Sequence, residues 1–314
     1  MRSRHVLPNL RIAIVGSGAI GLYYGGKLAH FGRDVHFLLR SDYDAVRKRG
    51  LRLRSKKENI HVPKVQAYRS TQEIGVCGLV IVAVKTTSNA GLPSLIPPLL
   101  GEQTMILTLQ NGLGNEDFLA GHFGAERILG GLCYISLNRT APGVVERLDA
   151  GRLTIGEYRD HPQPRTHDVA WEFKRCGVVC NVADDLTLER WRKLVWNIPF
   201  NGLSIVAGGL DTAAILADDG LRQLTVELMD ETIAIANACG HQLPTAVALD
   251  LMRRTKAMDA YRPSTLLDYE AGRPLEIESI WGETLRRAQA AGVAAPRLEM
   301  LYRLLRSRDE KRRK

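Results

Sequence analysis

Residues 11–21 read Arg-Ile-Ala-Ile-Val-Gly-Ser-Gly-Ala-Ile-Gly. The unbroken apolar run Ile12–Val15 is the pattern of a strand covered on both faces in a parallel sheet. A G-x-G-x-x-G follows at once, made of Gly16, Ser17, Gly18, Ala19, Ile20 and Gly21. Gly16 permits a tight turn, Gly18 lets a pyrophosphate approach the backbone, and Gly21 allows the next helix to close on the strand. The amino terminus of that helix stabilises phosphate charge. The helix predicted over Ala19–Phe31 is stopped by Gly32, and a second strand follows at Val35–Leu39. This strand–glycine–helix context separates a dinucleotide site from a glycine-rich turn that binds nothing.

Working outward, apolar runs at Leu79–Val84 and Met105–Leu109 alternate with helical stretches, which predicts an α/β fold with a doubly wound parallel sheet of the Rossmann type. Segments 127–137, 143–148 and 152–155 read as successive strands joined by tight turns, and they are expected to extend the edge of that sheet. A helix at 165–175 and a strand at Val178–Val182 finish the domain. From Leu186 the strand signal stops, and helices are predicted over 186–202, 219–239, 244–259, 279–291 and 296–306. The organisation is therefore an N-terminal extension 1–10, a nucleotide-binding domain 11–184, an all-α domain 185–306 and a basic tail 307–314. The helical domain would bind substrate and could supply a homodimer interface.

The bulk composition, 45% hydrophobic and 25% charged over 314 residues, is that of an ordinary globular protein and argues against disorder or a fibre. No apolar run approaches the ~20 residues that span a bilayer, and no signal-peptide core follows the first residues, so a cytoplasmic protein without a membrane partner is expected. Five scattered cysteines are read as reduced and mostly buried, with the close pair Cys176 and Cys180 assigned to packing and no metal site expected. The net charge of +9 is concentrated at the end, since Arg303–Lys314 holds seven basic and two acidic residues. That segment is read as a solvated tail. With no aromatic interleaving and no recognised module, nucleic acid is not expected as a partner.

The second strand ends in Leu38-Leu39-Arg40, where NAD enzymes usually present an acid to the ribose hydroxyls. A cationic Arg40 suits the extra ribose phosphate of NADPH, which a carboxylate would repel. Asp42 and Asp44 are read as caps of the next helix. Two further segments leave strands at the carboxyl edge, Val84-Lys85-Thr86 and Leu109-Gln110-Asn111-Gly112-Leu113-Gly114. Lys85 and Asn111 are thus expected to line the crevice, although Lys85 also fits a plain exposed lysine after a strand.

In the helix that begins near Leu186, Lys193, Asn197 and Asn201 recur every fourth residue and share one face among apolar neighbours. Pro199 should bend that helix locally. Reduction of a ketone creates an alkoxide, which needs a positioned cation that also delivers a proton, and Lys193 meets the need. The competing reading is a lysine whose stem merely covers helix surface. The polar stretch from Arg262 to Glu278 is expected to be a loop that returns a hydroxyl and a carboxylate to the crevice. Composition does not choose between Glu276 and Glu278.

Taken together, Gly16-x-Gly18-x-x-Gly21, Lys85, Asn111-Gly112-x-Gly114, Trp191-Arg192-Lys193-Leu194 with Asn197, and Ser264 through Glu276 resemble the ketopantoate reductase family. The resemblance runs from about residue 11 to 305. It implies NADPH-dependent reduction of 2-dehydropantoate to pantoate, with Lys193 as general acid and Glu276 holding the substrate hydroxyl. Asn111, Asn197 and Ser264 would orient substrate, and Arg40 and Lys85 would contact the cofactor. The family's Thr-Glu-Ile-Asp pattern falls on Leu275-Glu276-Ile277-Glu278, which selects Glu276. Departures are Leu275 for a threonine, Leu267 for a glutamine, Pro263 for a serine, and Tyr261 for an asparagine that contributes to substrate binding in some members. Two other readings are a reductase of another small 2-keto acid and a non-catalytic NADPH-binding regulator.

Overall fold

Ile12–Val15 (β1) is buried along its whole length, as an uninterrupted apolar strand requires. The computed structural model that contains it describes residues 10–149, 151–258 and 260–313. Apart from Leu10, the extension predicted at 1–10 lies outside the described residues, as does Lys314. The other strands are β2 (Val35–Leu38), β3 (Leu51–Ser55), β4 (Asn59–Val62), β5 (Gln66–Tyr68), β6 (Cys77–Val82), β7 (Leu100–Thr108), β8 (Ile128–Tyr134), β9 (Leu137–Ala141), β10 (Val144–Arg147), β11 (Arg152–Glu157) and β12 (Val179–Val182). The helices are α1 (Ala19–His30), α2 (Tyr43–Arg49), α3 (Thr71–Ile74), α4 (Leu92–Leu95), α5 (Asn115–Phe123), α6 (Pro164–Arg175), α7 (Leu186–Val206), α8 (Thr212–Ala217), α9 (Asp219–Ala238), α10 (Ala246–Lys256), α11 (Ser264–Glu270), α12 (Glu283–Ala290) and α13 (Pro296–Arg313). Two compact units result, one of residues up to Gln110 with Asn115–Leu186, the other of Asn111–Gly114 with the chain from Thr187 onward.

In the first unit an eight-stranded sheet runs β12-β11-β8-β7-β6-β1-β2-β5, parallel at every pairing except β11 with β8. From β1 the chain builds outward through β2 to β5, then returns to β6 on the other side of β1. The direction of winding therefore reverses between β1 and β6, and ligands of open α/β sheets bind outside the carboxyl ends at such a point. Apolar side chains cover both sheet faces, with Ile14, Leu22, Phe37 and Leu107 on one and Val15, Val80, Ile106 and Leu119 on the other.

The expectation that residues 127–156 simply extend this sheet needs correction. Buried β8 and β11 do join it, but β9 and β10 leave to form a second sheet ordered β4-β3-β10-β9. The polar run Asn138-Arg139-Thr140 cannot enter a sheet covered on both faces, whereas a one-sided sheet accepts it. Strand β3 shows the matching alternation, with Leu51 and Leu53 buried and Arg52 and Arg54 exposed. Its inner face rests on α1, where a Cβ on Gly26 would come within 3.2 Å of Leu53.

Asp42 ties this sheet down. It was expected to cap α2 with its side chain, but it makes no such cap. Instead the carboxylate is 1% exposed and accepts from Arg139 Nη1 at 2.7 Å and from the backbone N–H of Gly143 at 3.0 Å. Asp44, the other expected cap, pairs with Arg69.

The helical unit packs around the buried rings of Trp191 and Trp281. Helix α7 continues through Pro199 to Val206, and the Trp281 indole N–H donates to Ile198 O at 3.1 Å. Two expectations change here. Part of the loop expected at 262–278 is helix α11, and the solvated tail expected from 307 is the last part of α13 as far as Arg313. The tail's arginines have protein partners: Arg308 donates to Val206 O, and Arg312 to three backbone carbonyls and to buried Asp309. All five cysteines are free and four are buried; burial pushes the Cys77 thiol up to about 11 and Cys180 up to about 12. No helix among the described residues is long and apolar enough to cross a membrane.

Asp42→Ala removes the acceptor of a buried backbone N–H and strands Arg139, so unfolding by denaturant should show a loss of about 2 kcal/mol. A midpoint equal to wild type would show that Asp42 does not anchor the second sheet.

Candidate active site

On the nucleotide side, the turn after β1 is built by close backbone approach. Gly16 has φ +121°, and a Cβ there would fall 2.4 Å from Val84 N and 2.5 Å from Ala83 C. A Cβ on Gly21 would meet Gly16 O at 1.9 Å. A side chain at Gly16 would push the loop off the end of β6, and one at Gly21 would push α1 off the loop. Gly18 is the N-cap of α1 and is exposed, its nearest outside neighbour to a Cβ being Ala83 O at 4.0 Å. No side chain caps α1 and no acid stands in its first turn, so its leading N–H groups are left for an anion. Gly16–Gly21 therefore fits the pyrophosphate of a dinucleotide. Arg40 follows β2 by two residues, is exposed, and has no side-chain partner among the described residues. Lys85 is half-buried and is the N-cap of the 3-10 turn Thr86–Gly91 after β6.

Sequence reasoning passed over Gln110. It is 4% exposed and its amide donates to Val84 O at 3.0 Å and to Asn89 Oδ1 at 2.7 Å, while Thr108 Oγ1 donates to its carbonyl. Gln110 thereby ties the loop that carries Lys85 to the end of β7. Its position immediately before Asn111, at the carboxyl end of a strand, was the available signal.

On the substrate side, all the candidate residues belong to the helical unit. The half-buried Lys193 donates from Nζ to Asn111 Oδ1 at 2.7 Å. Asn111 is held by its neighbours: Leu113 N–H donates to Ser279 O at 2.8 Å, and Gly112, at φ +87°, lies so close that a Cβ would meet Ser279 O at 2.2 Å. One turn beyond Lys193, Asn197 is 8% exposed and its side-chain amide has no partner among the described residues. An open amide beside an ammonium can receive a polar ligand.

Asn201 behaves otherwise. Its amide donates to Asn197 O at 3.1 Å and its carbonyl accepts from Thr265 N–H at 3.2 Å, so it secures the start of α11. Its side chain, on the same helix face as Lys193 and Asn197 and read from the sequence as a substrate-binding candidate with them, is engaged within the protein. Ser264, the first residue of α11, is exposed with no partner for its hydroxyl among the described residues.

The two glutamates also separate. Glu278 is exposed and engaged by the Tyr302 hydroxyl at 2.8 Å and Arg286 Nη1 at 3.0 Å. Partial burial pushes its carboxyl up, but these two partners outweigh that and hold it below its ordinary value. Glu276 is half-buried between the buried side chains of Leu275 and Ile277. Geometry thus commits Glu278 to the surface of α12 and α13, while Asp268 and Glu270 pair with Arg273 and Arg262. Among the departures, Leu275 and Pro263 are buried, and the Tyr261 ring packs on Trp196 with centroids 5.9 Å apart.

The family model described as ketopantoate reductase PanE/ApbA matches residues 12–160, and that of the ketopantoate reductase PanE/ApbA C terminal matches residues 185–309. A 2-dehydropantoate 2-reductase of Nostoc sp. is 40% identical over 312 residues, covering 96% of both chains. The crystal structure of a 2-dehydropantoate 2-reductase from Geobacter metallireducens is similar with a TM-score of 0.92 and 47% identity, over 95% of this chain and 99% of that one. The enzyme of the same name from Methylococcus capsulatus has a TM-score of 0.90 and 33% identity, over 97% and 98%.

Gly112→Ala should strain the 111–114 turn and lower the melting midpoint by several degrees, since an unfavourable φ costs about 1–3 kcal/mol. An unchanged midpoint would show that the approach to Ser279 is not tight.

Proposed function

The chain belongs to the ketopantoate reductase family, and from that premise we propose that it reduces the ketone of 2-dehydropantoate to the alcohol of pantoate, with NADPH as reductant. The observation that carries the chemistry is the Lys193 ammonium fixed on Asn111 Oδ1, one helical turn from the open amide of Asn197. Bound NADPH supplies the hydride that the ketone carbon accepts. As the C=O π electrons pass to oxygen, the Lys193 ammonium stabilises the developing alkoxide and delivers the proton that completes the hydroxyl. Asn111 holds Nζ in one place, which limits reorganisation at the moment of reaction. Asn197 and Ser264 orient the 2-oxo acid, Glu276 accepts from its hydroxyl, and Asn201 keeps Ser264 at the head of α11.

The residues that would hold the cofactor are Gly16, Ser17, Gly18, Ala19, Ile20 and Gly21 at the pyrophosphate, with Arg40 and Lys85 supplying positive charge. The preference for NADPH rests on Arg40, a fork with no side-chain partner among the described residues, two residues beyond β2, where a carboxylate would select the unphosphorylated ribose.

A second reading, another small 2-keto acid, is favoured by the apolar character of Leu275, Pro263 and Leu267. It predicts that simpler keto acids are reduced at least as fast as 2-dehydropantoate.

Lys193→Ala should lower kcat by about 10²–10⁴ while the Kd for NADPH, read by fluorescence titration, stays at the wild-type value. Undiminished turnover would remove Lys193 from the mechanism. Arg40→Glu should raise the KM for NADPH by roughly tenfold or more and leave NADH much less affected. Equal effects on the two nucleotides would detach Arg40 from the ribose phosphate.

A further inference from the structure

The segment 264–276 carries two of the proposed substrate residues, Ser264 and Glu276, yet α11 within it is only seven residues long. A helix that short is not stable on its own, because nucleation costs more than its few internal hydrogen bonds return. It persists because both ends are held from elsewhere. At the start, Asn201 Oδ1 accepts from Thr265 N–H. At the end, the last carbonyls need donors, and cations are favoured there.

Some are local, Gly272 N–H on Tyr269 O at 3.2 Å and Arg273 N–H on Asp268 O at 2.9 Å, and the end of α13 supplies the rest. Arg312 Nη1 donates to Tyr269 O at 2.8 Å and to Asp268 O at 3.3 Å, and Nη2 donates to Arg273 O at 2.7 Å. The guanidinium lies over the Tyr269 ring, 5.2 Å from its centroid, and its Nη2 also donates to Asp309 Oδ1 at 2.6 Å. Asp309 is 6% exposed. One turn earlier, Arg308 donates to Val206 O, the last residue of α7. Two arginines four residues apart thus receive the carboxyl ends of the helices that carry Lys193 and Ser264. A planar fork with several donors reaches three carbonyls at once, which an ammonium does not.

We infer that Arg312 is a positioning residue for the substrate segment: by closing the end of α11 onto α13 it holds the turn at 271–274, and through it Glu276, in the geometry that receives the 2-oxo acid. This rests on the functional reading above. Without the fork, α11 frays from its carboxyl end, the turn gains freedom, and substrate binding must order it again. That cost falls on binding of substrate and transition state alike, so it enters KM and not kcat.

The test compares full-length wild type, Arg312→Ala and Arg312→Lys by steady-state kinetics, NADPH titration and hydrogen–deuterium exchange. For Arg312→Ala the KM for 2-dehydropantoate should rise by about tenfold, with kcat within about twofold and the NADPH Kd unchanged. Amide exchange should accelerate over 268–277 but not over α7 near Lys193. Arg312→Lys, which keeps the charge without the fork, should recover part of both effects, and it stands in should the alanine variant not fold. A lower melting temperature with KM and exchange both at wild-type values would reduce Arg312 to general stability and overturn the inference. A change in KM without a change in exchange, or the reverse, overturns it equally. Should wild type fail to reduce 2-dehydropantoate, the functional reading falls, while the exchange comparison still decides whether Arg312 holds the segment.

Discussion

An ammonium withdrawn partly from water has to be given partners, and one partner of Lys193 is the side-chain carbonyl of Asn111. Much of the surrounding architecture serves that 2.7 Å hydrogen bond. Asn111 lies where it does because Gly112 and Leu113 press against Ser279, and Ser279 belongs to the turn that follows Glu276. Gln110, just before it, is fastened to the loop after β6. A charge that must be available to a developing alkoxide is useful only if its position is fixed beforehand.

The parts of the fold that were legible in the sequence are those governed by local chemistry. The run Ile12–Val15 could only be a doubly covered strand, and the spacing of Gly16, Gly18 and Gly21 matches backbone approaches that leave no room for a Cβ at the first and last. The every-fourth-residue spacing of Lys193, Asn197 and Asn201 set one helix face, and α7 bears all three. What could not be read depends on partners far away in the chain. Strand β3 pairs in parallel with β10, about ninety residues on, and nothing in either segment alone announces the other.

The same reason explains α11 and the end of α13. The stretch around α11 is polar and the end of α13 is arginine-rich, so composition reads them as loop and tail. Asn201 and Arg312 brace the two ends of α11, and the same bonds tie the end of α13 to the protein; backbone carbonyls used as acceptors leave no mark in the sequence. The spacing of the Lys193 stripe likewise could not tell an open amide from one bonded within the protein. Asn197 is open and Asn201 is taken up by Thr265, a difference that only the fold of the second half creates. Composition likewise could not show that Tyr302 and Arg286 engage Glu278.

In the proposed reaction these groups direct hydride to the ketone carbon of a 2-oxo acid. The most direct measurement uses NADPH deuterated at the transferring nicotinamide carbon, 2-dehydropantoate as substrate and mass spectrometry with proton NMR of the product. The account predicts one deuterium per product molecule, bound at carbon 2 of pantoate. Pantoate without label at that carbon, or oxidation of NADPH with no pantoate formed, would contradict it.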